Sequence, residues 1–248
     1  MYINTKGLIL RETVYKETSK ILTILTADEG KLTVSAKGAR RKGSRLAPCT
    51  QLLCYSDMTL SGSHERWTLA EASGVEMFEG IRMDLERLAL GAYFAQLLET
   101  VCEENQPETA LLNLGLHALY RLSEGKREPD LIKAAFELRL MALAGFMPRT
   151  ESCCVCNAPN PTDPRLSLEG GTIRCRTCQK TDDSPQLPLC EGSLAALRYC
   201  LSSDVNKLFS FSLAGEAKKR FSTAAEQYLK VQLDRGFHTL DYYKSIKV

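Results

Sequence analysis

Four cysteines are spaced for metal chemistry. Cys153-Cys154-Val155-Cys156 holds one Cys-x-x-Cys pair and Cys175-Arg176-Thr177-Cys178 holds a second. Each such turn presents two thiolates from one side, and two turns together supply the four sulfurs of a tetrahedral Zn²⁺ site. Cys154 adjoins the first pair and is the alternative first ligand, but the two-residue spacing favours Cys153. Between the pairs lie Asn157, Pro159, Asn160, Pro161, Pro164, Gly170 and Gly171. These are turn formers around at most two short strands, Arg165–Leu168 and Thr172–Arg174. A segment this small has no core of its own, so a single structural Zn²⁺ per chain is expected to hold it together as a zinc ribbon over residues 149–181. Four thiolates leave no open position for water or substrate, which makes such a metal structural rather than catalytic.

A second stretch could do electrostatic chemistry. Lys37-Gly38-Ala39-Arg40-Arg41-Lys42-Gly43-Ser44-Arg45 is strongly basic, and no Asp or Glu occurs from Gly30 through Ser56. Cations without competing acids attract phosphates, and glycine and serine let the backbone approach a polyanion. Lys37, Arg40, Arg41, Lys42 and Arg45 are therefore the candidate nucleic-acid contacts, against the plain alternative of a solvated loop. Base stacking needs aromatics, and Tyr55 and Trp67 are the strand residues on hand. As the single Trp of the chain, Trp67 suits the interior of a small barrel better than a surface platform.

The elements that must carry these residues follow from periodicity. Gly7–Arg11, Lys20–Thr26, Lys31–Ala36, Gln51–Ser56 and Arg66–Ala70 are short, β-branched or alternating, and bounded by turns such as Asp28-Glu29-Gly30. Five strands in so short a stretch suit an OB-type barrel over residues 1–79, a fold that takes oligonucleotides, with an SH3-like barrel as the alternative. From Gly80 the period changes to three and four, predicting helices over Gly80–Glu104, Thr109–Ser123, Asp130–Ala144, Ser193–Leu201 and Leu213–Arg235, the last capped by Ser212. The expected architecture is α+β and multidomain: the barrel, then a helical domain over 80–248 with the ribbon inserted in it.

Composition narrows the function. The 248 residues are 44% hydrophobic and 25% charged with a net charge of +2, which excludes bulk disorder. The N-terminus lacks an apolar signal region, and the apolar-rich run Leu88–Leu98 is too short to span a bilayer, so a soluble cytoplasmic protein is expected. Six of the ten cysteines fall outside the two pairs without a framework spacing, as small buried hydrophobes would. His64, His117 and His238 are isolated, and no phosphate-binding Gly loop, Gly-x-Ser-x-Gly or His-Glu-x-x-His occurs. A non-enzymatic role is expected.

Three stretches together resemble the RecO family of bacterial DNA recombination and repair mediator proteins. They are Ala36–Arg41 with Ser44-Arg45-Leu46, then Phe136–Pro148, then the cysteine pairs directly after Gly145-Phe146-Met147-Pro148. The likeness runs over essentially the whole chain in order. It implies a protein that binds single- and double-stranded DNA, anneals complementary strands and, with RecR, assists RecA loading onto single strands coated by SSB. By the same resemblance Lys37, Arg40, Arg41, Lys42 and Arg45 contact DNA, and Cys153, Cys156, Cys175 and Cys178 bind the metal. It implies contact with the acidic C-terminal tail of SSB through the helical domain, for which Arg139 and Phe146 are the candidates, although an arginine on a helix bundle often serves an intramolecular contact. It also implies association with the nucleoid during repair. A zinc-ribbon RNA-binding or transcription-associated module and a hydrolytic nucleic-acid enzyme are the rival readings.

Overall fold

The computed structural model describes residues 1–63, 66–181 and 185–247; His64 lies outside them. The chain packs as two compact units, Met1–Gly125 with Phe237–Val248, and Lys126–Gly236. The helices after residue 79 are shared between them.

Alternation of period two builds the barrel of the first unit. Strands β1 (Tyr2–Tyr15), β2 (Ser19–Thr26), β3 (Lys31–Ala36), β4 (Tyr55–Ser63) and β5 (Arg66–Glu76) close in the order β1-β2-β3-β5-β4. The pairings are antiparallel except β3 with β5, where Val34 meets Trp67 and Ser35 meets Thr68. In β3 the side chains of Leu32, Val34 and Ala36 turn inward to join Ile9, Leu22, Ile24, Met58, Leu60 and Leu69, and Trp67 completes this core at 2% exposure. Closure leaves no long unpaired edge, and this is the OB-type barrel anticipated from the sequence.

The fourth strand differs from expectation. Residues 51–54 form a turn in which Leu53 takes a φ of 65°; Leu53 N donates to Ile9 O and Ile9 N to Cys54 O. The strand itself begins at Tyr55 and runs through the alternating Met58-Thr59-Leu60, so the apolar cluster Leu52-Leu53-Cys54 is a plug beside β1 rather than a strand.

The helix expected over Gly80–Glu104 is broken in two, α1 (Glu79–Arg82) and α2 (Leu85–Val101). Asp84 breaks it: its backbone is extended and its carboxylate accepts from Arg87 N at 3.0 Å, an N-cap that restarts the helix. Next comes α3 (Thr109–Glu124). The terminal helix α7 (His238–Ile246) rejoins this unit, burying Phe237, Leu240 and Tyr243, with the Phe237 and Tyr93 rings edge-to-face at 5.8 Å. Gly30, at φ 67°, has no room for a Cβ, which would lie 1.9 Å from Gln106 O. That close approach brings the β2–β3 turn against the segment after α2, where Lys31 N donates to Glu103 O.

The second unit consists of α4 (Pro129–Leu143), the ribbon sheet, α5 (Glu191–Ser202) and α6 (Gly215–Gln232). The ribbon strands β6 (Arg149–Cys153), β7 (Arg165–Ser167), β8 (Thr172–Arg174) and β9 (Gln186–Pro188) lie in the order β6-β8-β7-β9. Helix α6 starts after Ala214, not at the expected Ser212 cap. Leu131–Leu138 of α4 is buried without interruption, and this includes Lys133 and Glu137. Such charges persist in an interior only when paired: Lys133 Nζ lies 2.8 Å from Glu137 Oε1 and 2.9 Å from Glu226 Oε2, and Lys230 holds the other Glu226 oxygen at 3.1 Å.

Candidate metal centre and nucleic-acid interface

The metal centre begins with a strand end and a turn. β6 delivers Cys153, Asn157 N closes the turn onto Cys153 O at 2.9 Å, and Asn157 takes the left-handed conformation needed to reverse the chain. The β7–β8 hairpin delivers Cys175, and Cys178 N closes a second turn onto Cys175 O at 3.0 Å. The ligand atoms of Cys153, Cys156, Cys175 and Cys178 all lie within 4.8 Å of one another. Cys153 Sγ is 3.9 Å and Cys156 Sγ 3.8 Å from Cys175 Sγ. Metal–sulfur bonds of about 2.3 Å in a tetrahedron put sulfurs about 3.8 Å apart, so the cluster has the dimensions of a four-thiolate site and is far too open for a disulfide. Burial pushes the Cys153 thiol up, but backbone N–H groups of Cys156, Val155 and Cys175 aimed at the sulfur outweigh it and bring it down to about 6. Those donors favour the thiolate that a metal needs. Cys154 is exposed and outside the cluster, its backbone N paired to Ile173 O at 2.8 Å.

The ribbon is also fastened to the helices of its own unit. Arg198 donates to Thr150 O, Glu151 O and Pro159 O at 2.7 to 3.0 Å. Gln232 reaches Leu168 O and Glu169 O, and Tyr228 reaches Phe146 O. The segment therefore has more than a metal to hold it, including a small interior of Leu166, Leu168 and Ile173.

The basic stretch after β3 is wound tightly. Ala39 is 1% exposed in the barrel core, so the chain must dip inward two residues after Lys37. Gly38 and Gly43 supply left-handed turns at φ 70° and 77°. Arg41 N donates to Gly38 O and Ser44 N to Arg41 O, both at 3.0 Å. Lys37, Arg40, Arg41, Lys42 and Arg45 are all left exposed. Arg40 differs from the rest: its Nη1 donates to Glu17 O at 3.1 Å and its backbone N to Thr18 O at 3.0 Å, tying the loop to the β1–β2 hairpin. Lys37, Arg41, Lys42 and Arg45 form no ion pair with the described residues, and their charge is open to a ligand.

Trp67 lies in the barrel core, as its size suggested. Tyr55 is half-buried in a groove of about 400 Å³ with Val75, Phe78 and Tyr120, and burial pushes its phenol up. Sequence reasoning overlooked Tyr15, an aromatic that closes β1 at 47% exposure, on the hairpin that is hydrogen-bonded to the basic loop. The signal was present in the tip sequence Val14-Tyr15-Lys16, apolar where a solvated turn would be polar.

Arg139 is engaged inside its unit. Its guanidinium donates to Cys200 O at 2.8 Å and to the carbonyl of Ser203, binding α4 to the last carbonyls of α5. Phe146 is 40% exposed next to Met147 at 55% and Leu143 at 40%, an apolar edge at the end of α4.

An OB-type barrel with a cationic loop, joined to helices that carry a four-thiolate ribbon, defines a class of barrel-and-ribbon protein. Comparison with known families agrees with that class. The model described as Recombination protein O N terminal matches residues 1–78, and that described as Recombination protein O C terminal matches residues 82–241. Among curated relatives, the DNA repair protein RecO of Acetivibrio thermocellus is 34% identical over 99% of this chain and 97% of its own length. That of Alkaliphilus metalliredigens is 33% identical over 99% and 100%, and that of Bacillus pumilus 30% identical over 92% and 88%. The chain belongs to the RecO family of DNA repair proteins, with a role in recombinational repair. Among the described residues no helix is long and apolar enough to cross a membrane.

Proposed function

We propose that the protein binds single- and double-stranded DNA, anneals complementary strands and, with RecR, assists RecA loading onto SSB-coated single strands. The reading rests on one observation above the rest: five exposed cations wound onto an OB-type barrel in a stretch free of Asp and Glu. Cations between two phosphate backbones reduce their repulsion, and base pairing then drives annealing without any covalent step. The protein acts as a mediator and not as an enzyme, in the cytoplasm and at the nucleoid during repair.

We assign the four-cysteine centre to one structural Zn²⁺ held by Cys153, Cys156, Cys175 and Cys178. Sulfur-only ligation at tetrahedral spacing favours it, and four thiolates fill the coordination sphere. For the SSB tail we keep the end of α4. Phe146 offers apolar contact, while Arg139, already shared with the α5 carbonyls, has Nη1 left for a carboxylate.

The test is annealing of SSB-coated complementary strands without ATP, with intact SSB and with SSB lacking its tail. Annealing that depends on the tail supports the reading. No annealing with intact SSB, or equal rates without the tail, favours a general nucleic-acid-binding protein, and a preference for RNA over DNA favours the zinc-ribbon RNA-binding alternative.

A further inference from the structure

OB barrels take oligonucleotides with the face of strands 2 and 3 and with the loop joining strands 1 and 2. Here that loop is the β1–β2 hairpin, residues 15–19. Tyr15 and Ser19 are its last cross-strand pair, and Ser19 Oγ accepts from Gly38 N at 3.4 Å. Arg40 reinforces the join through Glu17 O and Thr18 O. The hairpin that carries Tyr15 is thus tied to the cationic loop by hydrogen bonds from two of that loop's own residues, Gly38 and Arg40. Its neighbour Val14 is 63% exposed, and Lys16 Nζ lies 5.3 Å from the ring centroid. A hairpin tip that served only as a solvated turn would gain nothing from Val14 and Tyr15. Next to a phosphate-attracting surface, an aromatic face with a cation at hand matches the two parts of a nucleotide, the base and its phosphate.

We propose that Tyr15 is a stacking platform for one unpaired base of a single strand whose phosphates lie on the Lys37–Arg45 loop, and that Arg40 is the positioning residue that fixes the platform to the loop. The inference rests on the DNA-binding reading of that loop. It gives the barrel a means of telling single strands from duplex, because the bases of a duplex are already stacked and unavailable to the ring. Stacking accepts any base, so the preference is for strandedness and not sequence.

The test uses the full chain, a labelled thymidine oligonucleotide and an abasic sugar–phosphate strand of equal length, with affinity read by anisotropy at fixed salt. Tyr15→Ala should weaken thymidine-strand binding by about tenfold and leave abasic-strand binding unchanged, while Tyr15→Phe and Tyr15→Trp keep thymidine-strand binding within about twofold. Unchanged affinity of Tyr15→Ala for the thymidine strand, or an equal loss on both strands, overturns the platform. Arg41→Ala/Lys42→Ala separates the two ideas: if it weakens binding to both strands while Tyr15→Ala does nothing, the loop reading survives and the stacking inference is wrong. If the wild type binds neither strand, both fall.

Discussion

The cationic loop makes a quantitative prediction about salt. Four of its five cations, Lys37, Arg41, Lys42 and Arg45, are exposed and form no ion pair with the described residues, whereas Arg40 spends its guanidinium on hairpin carbonyls. If each of the four meets one phosphate, log K against log salt should fall with a slope of about −2.8 for single strands, since each neutralised phosphate contributes about −0.7. Raising salt from about 50 to 200 mM would then weaken binding about 50-fold. Arg41→Ala/Lys42→Ala leaves two contacts and a slope of about −1.4, so the same change of salt costs only about sevenfold. Arg40→Ala should leave a slope near the wild-type value and lose the single-strand preference instead, because its structural part is to hold the hairpin. Anisotropy titrations over that range with two unrelated sequences measure all three slopes. A wild-type slope retained by the double variant would mean that the phosphates lie elsewhere, and the loop would lose its assigned part.

Other outcomes follow from the second unit. Cys175→Ser should lower bound zinc well below one per chain and raise amide exchange around residues 153–178 while the barrel stays protected; full zinc occupancy would refute the ligand set. Lys133→Met leaves Glu137 and Glu226 buried without their shared cation and should cost about 3–5 kcal/mol in denaturant unfolding, most of it recovered when both glutamates are also made apolar. Burial pushes Lys133 down, but Glu137 and Glu226 outweigh it and hold the amine above its ordinary 10.5. Its contribution is therefore complete below that value and is lost as pH rises through the folded one. Wild-type stability should drop more steeply above about pH 10.5 than that of Lys133→Met. Phe146→Ala should weaken capture of an SSB-tail peptide without changing affinity for bare DNA, and unchanged capture would remove the end of α4 as the docking point.

Much of this architecture can be read directly from the sequence because one physical pattern dominates each part. Alternation in Lys31–Ala36 marks a half-buried strand, and Cys-x-x-Cys spacing brings four sulfurs into one cluster. The errors fall where two patterns compete. Leu52-Leu53-Cys54 is apolar enough for a strand but buries itself as a turn. Ile81 and Leu85 continue a helical stripe, yet the side chain of Asp84 offers the backbone a cap and cuts the helix there. Helix α7 is short, and Phe237, Leu240 and Tyr243 declare its buried face only once α2 is present to receive them. Within the motif Phe136–Arg139, Glu137 is sealed in the ion-pair network and Arg139 also donates to the carbonyls at the end of α5, contacts that helical periodicity alone does not announce. Tyr15 escaped notice because alternation in the sequence marks a first strand only over Gly7–Arg11, while β1 runs on to Tyr15 at the hairpin.

The attachment of the ribbon has a consequence for its sequence. Arg198 and Gln232 grip it by main-chain carbonyls, at Thr150, Glu151, Pro159, Leu168 and Glu169, and Tyr228 holds the carbonyl of Phe146 just before it. A carbonyl is common to every residue type, so these hydrogen bonds hold the path of the ribbon backbone and do not select the side chains at the residues they grip. Substitutions at exposed ribbon positions leave these hydrogen bonds intact provided the trace is preserved, whereas a side chain at Gly171 would meet Tyr228 Oη at 2.7 Å and a change at Arg198 undoes three attachments at once. The outer face of the ribbon is thus the part open to redesign, while its position is held by its own buried residues and by Arg198 of α5 and Gln232 of α6.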